Sequence, residues 1–310
     1  MAGSIFDDLQ RQGEPDLSGF QWLDLRHAVE QAPEPLDFVL PGFKSGTVGA
    51  LVSPGATGKT MLALQAAVTV SGGPDMLDFA SMDTAWRRTA GRVVFLTGED
   101  PADVLNGRFH AIGQRLNPAE REAMFENLSV APLVGRGADV MTFEWRRWIA
   151  GVTRDARLVV IDTLRRFHQL DENDGGHMAG LLAYMEQLCR ENSTTVLFLH
   201  HTSKAGALNG GDAQQASRGS SVLTDNARFQ ANLVGMTPEQ AKQFDVDENC
   251  RRNFVRLSFP KINYSAPIPD QWFRRRDGGL LEPAVLERGT FKIAKKIGRA
   301  SCRERVSSPV

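Results

Sequence analysis

Val48–Leu64, VGALVSPGATGKTMLAL, constrains this chain more than any other stretch. Val48–Val52 is an unbroken apolar run, Pro54 and Gly55 interrupt it, and Lys59-Thr60 opens a helix-forming segment. Strand, Gly-rich turn and helix in that order bring backbone N–H groups and the positive end of a helix dipole to one point, which is what an anion needs. Lys59 supplies a point charge for terminal phosphates, and the Thr60 hydroxyl suits Mg²⁺. The segment follows G-x-x-x-x-G-K-[ST] at Gly58, Lys59 and Thr60, with Ser53 where the first Gly belongs. Ser53, Gly55, Ala56, Gly58, Lys59, Thr60 and Met61 are thus the expected contacts to a nucleoside triphosphate.

Composition narrows the class. In 310 residues, 42% hydrophobic and 24% charged content is that of a globular chain with one substantial core. A net charge of −1 leaves no cationic body for nucleic acid, so any grip on it must be local. Cys189, Cys250 and Cys302 form no C-x-x-C pair, which argues against a zinc or disulfide framework and for a reducing compartment. With no membrane-length apolar run and a polar N-terminus, the expectation is a cytoplasmic protein with no membrane partner.

In chain order, residues 1–35 form a polar arm with a short apolar stripe at Phe20, Trp22, Leu23, Leu25 and Val29. The stripe suits either packing on its own core or docking on a neighbouring subunit. Phe38–Leu40 and Thr47–Ser53 are expected to pair as a hairpin feeding the phosphate loop. A helix Lys59–Ser71 ends at Gly72-Gly73, and Asp75–Thr89 is an irregular excursion. Strand Arg92–Thr97 is followed by helix Ala102–Leu116, with an apolar stripe at Val104, Leu105, Phe109 and Ile112. Helix Pro118–Asn127, a strand near Leu128–Ala131 and helix Phe143–Arg154 precede strand Leu158–Ile161. Helix Met178–Glu191 precedes strand Thr195–Leu199. Unbroken apolar strands alternating with helices predict a parallel sheet covered on both faces. From Arg228 the texture alternates, with Phe229, Ala231 and Leu233 on one face and Arg228, Gln230 and Asn232 on a polar one. This strand, with Asn253–Phe259, Gln271–Phe273 and Leu280–Leu286, is read as an antiparallel extension. The expected domains are an arm (1–35), an α/β core (36–288) and a tail (289–310). Within the tail, Ile297–Val306 resembles the in-frame translation of a sequencing-adapter oligonucleotide, and the expectation is that it is an artefact standing in for the true C-terminus.

The chemistry-bearing residues stand just past strand ends, the edge where open α/β sheets bind ligands. Asp162 is placed to share a Mg²⁺ with Thr60. Glu99 is placed to orient or deprotonate an attacking water, with Asp100 its nearest rival. His200 and His201 project oppositely from an extended strand, so one can face a γ-phosphate. Thr202–Gly219 is a long Gly-rich loop carrying Lys204 and Arg218, and Arg165–Gly176 is a second segment expected to be mobile, carrying Arg165 and Arg166. These four cations are the candidate DNA contacts. Arg228 reads alone as a solvated arginine and in a ring of subunits as an arginine finger.

From about Pro35 to Arg288 the chain resembles the RecA-like ring ATPases, and within them the RepA-type hexameric replicative helicases of IncQ broad-host-range plasmids. The carriers are PLDFVLPGFKSGTVGALVSPGATGKTMLALQ, GEDP, VVIDTLRRFH, VLFLHHTSK, QQASRGSSVLTDNARFQ and WFRRRDGGLLEPAVLER. The resemblance implies a RecA-like P-loop NTPase fold: a mostly parallel twisted sheet with helices on both faces and an antiparallel C-terminal extension. It implies ATP and Mg²⁺ as cofactors and a homohexamer that moves on single-stranded DNA, with a replication initiator or primase as a further partner. By position, Lys59 and Thr60 bind phosphate and Mg²⁺, Glu99 is the catalytic base and Asp162 the Walker B acid. His201 is the γ-phosphate sensor, Arg228 the neighbour's finger, and Arg108 lies near the nucleotide. Ser53 in place of Gly looks normal for this family, whereas the arm before Leu36 and the length of Asp75–Thr89 depart from it. A RecA-like DNA-dependent ATPase that loads, recombines or regulates without unwinding is the alternative, and a small-molecule phosphotransferase a third reading.

Overall fold

The computed structural model describes residues 21–201 and 221–287. The loop Thr202–Gly219, with Lys204 and Arg218, lies outside the described residues, as do Phe20 and the segment Ile297–Val306. The chain divides into two compact units, with the boundary between Leu36 and Asp37. In the first, helix α1 (Leu25–Glu30) is capped by Asp24, whose side chain accepts from the His27 N–H. Trp22, Leu23, Leu25 and Val29 are all exposed there.

The second unit is organised by strands β1 (Phe38–Leu40), β2 (Phe43–Lys44), β3 (Val48–Ser53), β4 (Val93–Thr97), β5 (Leu128–Pro132), β6 (Leu158–Asp162), β7 (Val196–His201), β8 (Phe229–Gly235), β9 (Phe254–Ile262), β10 (Gln271–Arg275) and β11 (Leu281–Ala284). Nine of them form one sheet in the order β11-β10-β9-β8-β3-β7-β6-β4-β5. Parallel pairing runs from β8 to β5 and antiparallel pairing from β8 to β11.

Period-two alternation sends every other strand residue to a different core. Leu51, Phe95, Val160 and Leu197 join the apolar cluster around helix α2 (Lys59–Val70). Val52, Val94, Ile161 and Phe198 join the cluster on the opposite face. Both faces are covered, which is why these strands read as unbroken apolar runs. Helix α2 is buried along nearly its whole length. Helices α3 (Phe79–Met82), α4 (Ala102–Gly113), α5 (Pro118–Asn127), α6 (Phe143–Thr153) and α7 (Gly175–Glu191) follow. Among the described residues, no helix is long and apolar enough to cross a membrane.

Several expectations change. The hairpin at the start closes between β1 and β2, not with Thr47–Ser53, because β3 is taken by β7 and β8 as the centre of the large sheet. Gly49 permits that crowding, since a Cβ there would collide with Phe43 and Phe229. Strand β8 is parallel to β3, and its polar alternation is not a solvated face: Gln230 and Asn232 are buried, with Gln230 donating to Asn232 at 2.8 Å. On α4, Leu105 and Ile112 are buried but Val104 is exposed. Arg165–Gly176 is folded, not a free loop: a 3₁₀ turn Leu164–Phe167 buries Leu164 and Phe167 fully, and Asp174 caps α7. Cys189 is buried and free.

Candidate nucleotide site

Strand register assembles the site. Ser53 on β3 stands opposite His201 on β7, and Thr97 on β4 opposite Asp162 on β6. Four polar residues from four parallel strands therefore end at one edge, beside the loop that opens α2. In that loop Ala56 (φ 61°) and Gly58 (φ 100°) adopt left-handed backbone, which turns successive peptides without a side-chain cap on the helix. Gly55 and Ala56 are exposed, whereas Ser53 and Lys59 are buried and Met61 packs into the apolar core.

Lys59 lies at the centre. Its Nζ is 3.2 Å from His201 Nδ1 and 3.4 Å from Nε2. His201 Nε2 is in turn 3.2 Å from Glu99 Oε1, and the Thr163 hydroxyl donates to the same oxygen at 2.9 Å. The His201 hydrogen bond is the main reason the Glu99 carboxyl is held down to about 2, with Thr163 and Lys59 adding to it against desolvation. Glu99 is thus ionised at neutral pH. Burial lowers Lys59 to about 8, opposed by Asp162 and Glu99. Burial raises Asp162 to about 6, opposed by its hydrogen bond with Thr60.

The Asp162 carboxyl is wholly buried, and its Oδ1 lacks a well-formed partner. An orphaned buried carboxylate oxygen beside the Thr60 hydroxyl fits a hard divalent cation. Among the described residues no group of three or more His, Cys, Asp or Glu could hold a metal ion. Thr60 and Asp162 would therefore hold Mg²⁺ together with water and phosphate oxygens, as suits its reluctance to dehydrate.

The neighbouring candidates separate cleanly. Asp100 turns away to pair with Arg108 at 2.8 Å, so Glu99 and not Asp100 faces Lys59. Arg108 is brought to the start of α4 by that pair, and its charge opposes the burial that raises Asp100. His200 points into the protein, is 4% exposed, and is pushed down to about 4 by burial and then by Lys59. Arg165 and Arg166 are exposed and line, with Gly98, Glu99, Gly135 and His168, a cavity of about 430 Å³ adjoining the site. Arg165 also donates to the His168 carbonyl at 3.1 Å.

Arg228 is not brought to this edge. It is exposed just before β8, its N–H donating to the Val48 carbonyl at the opposite end of β3. The length of β3 separates it from its own phosphate loop by roughly 16 Å. Lys261 lies nearby, donating to the Thr224 carbonyl (3.4 Å) and the Asp225 carbonyl; burial lowers it and the charge of Arg228 adds to that. Sequence reasoning missed Thr163, although it adjoins Asp162. It also missed Arg275, which stands in a run of three arginines without any spacing signal and reaches the phosphate loop through the fold.

Residues 14–207 match the family model described as AAA domain, AAA_25. The chain belongs to this AAA domain family. Its fold is similar to that of a solved ATPase domain, at 15% identity over 91% of this chain and 99% of that one, with a TM-score of 0.51. It is also similar to the structure of a DnaB-like replicative helicase and its interactions with primase, at 16% identity over 90% of this chain and 70% of that one, with a TM-score of 0.55. The fold is that of a RecA-like P-loop NTPase.

Proposed function

We propose that this chain is an ATP-driven DNA helicase of the RepA type, working as a homohexameric ring on single-stranded DNA in plasmid-type replication. The observation that carries the reading is the contact series Lys59–His201–Glu99 beside Thr60 and Asp162, built at the phosphate-loop edge of four adjacent parallel strands. Lys59 takes the terminal phosphates, and the turn Ser53–Gly58 cradles them through backbone N–H groups. Thr60 and Asp162 would hold Mg²⁺, which when bound would neutralise charge on the phosphates. Glu99, already ionised, accepts the proton of the attacking water. His201 bridges Lys59 and Glu99, so phosphate drawing Lys59 away changes the partner left to Glu99; this is the sensing step. Arg228 cannot serve its own site and acts on the neighbour's, stabilising transition-state charge.

Arg165 and Arg166, with Lys204 and Arg218, grip the DNA backbone; a few cations per subunit repeated around a channel suffice without a basic body. Residues 1–35 serve as the docking arm, 36–288 as the motor and 289–310 as the tail. The similar DnaB-like helicase is known with primase, which supports a primase or a replication initiator as partner here. The deciding assay is unwinding of a tailed duplex. Wild type should unwind with ATPase stimulated by single-stranded DNA, and Lys59→Ala should lose both by at least about 10²-fold. Stimulated ATPase without unwinding would leave a DNA-dependent ATPase, and no stimulation would overturn the DNA motor altogether.

A further inference from the structure

Arg275 closes the far side of the phosphate loop. From the end of β10 its Nη2 donates to the Ala56 carbonyl at 3.1 Å and to the Thr57 carbonyl. Its Nε is buried without a hydrogen-bond partner, and a Cβ built on Gly58 would lie 3.7 Å from that atom. Burial lowers the Arg275 pKa, but a guanidinium stays charged. The hairpin that carries it is fixed to α2: Gln65 Nε2 donates to the Leu281 carbonyl at 2.8 Å, and the Leu281 N–H donates back to Gln65 Oε1 at 2.8 Å. At its tip, Gly278 (φ 73°) comes so close to Ala111 of α4 that a side chain there would collide. The arginine is therefore delivered to the loop by a docked element.

A peptide that aims its N–H at an anion aims its carbonyl the opposite way. The carbonyls of Ala56 and Thr57, flanked by two left-handed residues, gather on the outer side of the loop. One guanidinium nitrogen, Nη2, donating to both holds them in register and offsets the mutual repulsion of the N–H dipoles crowded on the inner side. A loop held in its binding shape loses less freedom when phosphate arrives.

We propose that Arg275 is a positioning residue that clamps the carbonyl side of the phosphate loop, pre-shaping its N–H side for the nucleotide and tying that shape to the β10–β11 hairpin. This rests on the reading of Val48–Leu64 as the ATP site. It acts on the loop and not on the reacting phosphate, so its loss raises KM and leaves kcat. The test is equilibrium binding of a fluorescent ATP analogue, with steady-state ATPase, in the full chain carrying Arg275→Ala, Arg275→Lys or Lys59→Ala. Arg275→Ala should weaken binding and raise KM about tenfold, with kcat within about twofold of wild type. Guanidinium chloride at about 20 mM, far below denaturing levels, should restore most of that binding where equal sodium chloride does not. Arg275→Lys, which keeps the charge on a shorter side chain, should fall between. Unchanged binding in Arg275→Ala, a defect guanidinium cannot relieve, or a loss confined to kcat would overturn the clamp. Lys59→Ala that binds the analogue as wild type does would instead overturn the nucleotide site, and the clamp with it.

Discussion

The two ends of β3 differ in almost every physical respect. At the carboxyl end, buried Lys59 and half-buried Glu99 meet through His201 beside buried Asp162, and Lys59, Glu99 and Asp162 are all displaced from their ordinary pKa values. At the amino end, Arg228 is exposed and Lys261 donates to the Thr224 and Asp225 carbonyls. On the proposed reading the carboxyl end supplies a base, a phosphate-binding lysine and a metal-binding pair, and among the described residues no arginine joins the Lys59–His201–Glu99 contacts. The amino end offers arginine with no phosphate site beside it. On the proposed reading the two ends are complementary halves that meet only between subunits, which is why one chain looks incomplete at both.

The largest expected effect separates the halves. Arg228→Ala should reduce ATPase by about 10³-fold while leaving affinity for ATP unchanged, because the lost charge acts in the transition state. A parallel loss of nucleotide binding, measured by titration with a fluorescent analogue, would place Arg228 in its own subunit's site.

A second prediction sharpens the carboxyl end alone. Phosphate and Mg²⁺ binding needs Asp162 ionised and Lys59 protonated. With Asp162 raised to about 6, affinity should fall as pH drops through 6; with Lys59 lowered to about 8, it should fall as pH rises through 8. Titrations of Mg²⁺-nucleotide binding across that range should give a bell. Lys59→Arg should remove the alkaline limb and keep the acid one, since arginine does not titrate there. A flat profile would contradict the assigned pair.

The smallest effect concerns the helix that leads away from the site. Ile112→Ala on α4 should cost about 2–5 kcal/mol in denaturant unfolding, as a fully buried side chain, whereas Val104→Ala should stay within about 0.5 kcal/mol. Equal costs would mean that α4 packs on a different face.

That contrast also marks what the sequence could tell. Strands β3, β4, β6 and β7 were legible because burial on both faces writes an unbroken apolar run. That Glu99, Asp162 and His201 stand at one sheet edge was legible because each ends or follows such a run. Val104 was misread because its helix presents a narrower apolar face than the stripe suggested. Gln230 and Asn232 read as the polar side of a strand, and a one-dimensional pattern does not tell whether that side is solvated or, as here, buried with Gln230 donating to Asn232. The partner of β1 was misread because the centre of the sheet claims β3, a competition decided by strands roughly 150 and 180 residues away. Arg275 lay within a stretch that carried the family resemblance, but nothing in its spacing marked its contact with the phosphate loop, which it reaches from 218 residues downstream.

The central claim is that each site takes Glu99 from one subunit and Arg228 from the next. Mixing Glu99→Gln with Arg228→Ala subunits tests it most directly. Neither variant alone should hydrolyse ATP appreciably, but random assembly at equal amounts should rebuild about one interface in four with both residues intact. ATPase should therefore return on mixing, peaking near equal proportions. No recovery at any ratio, in subunits shown to assemble together, would contradict the account.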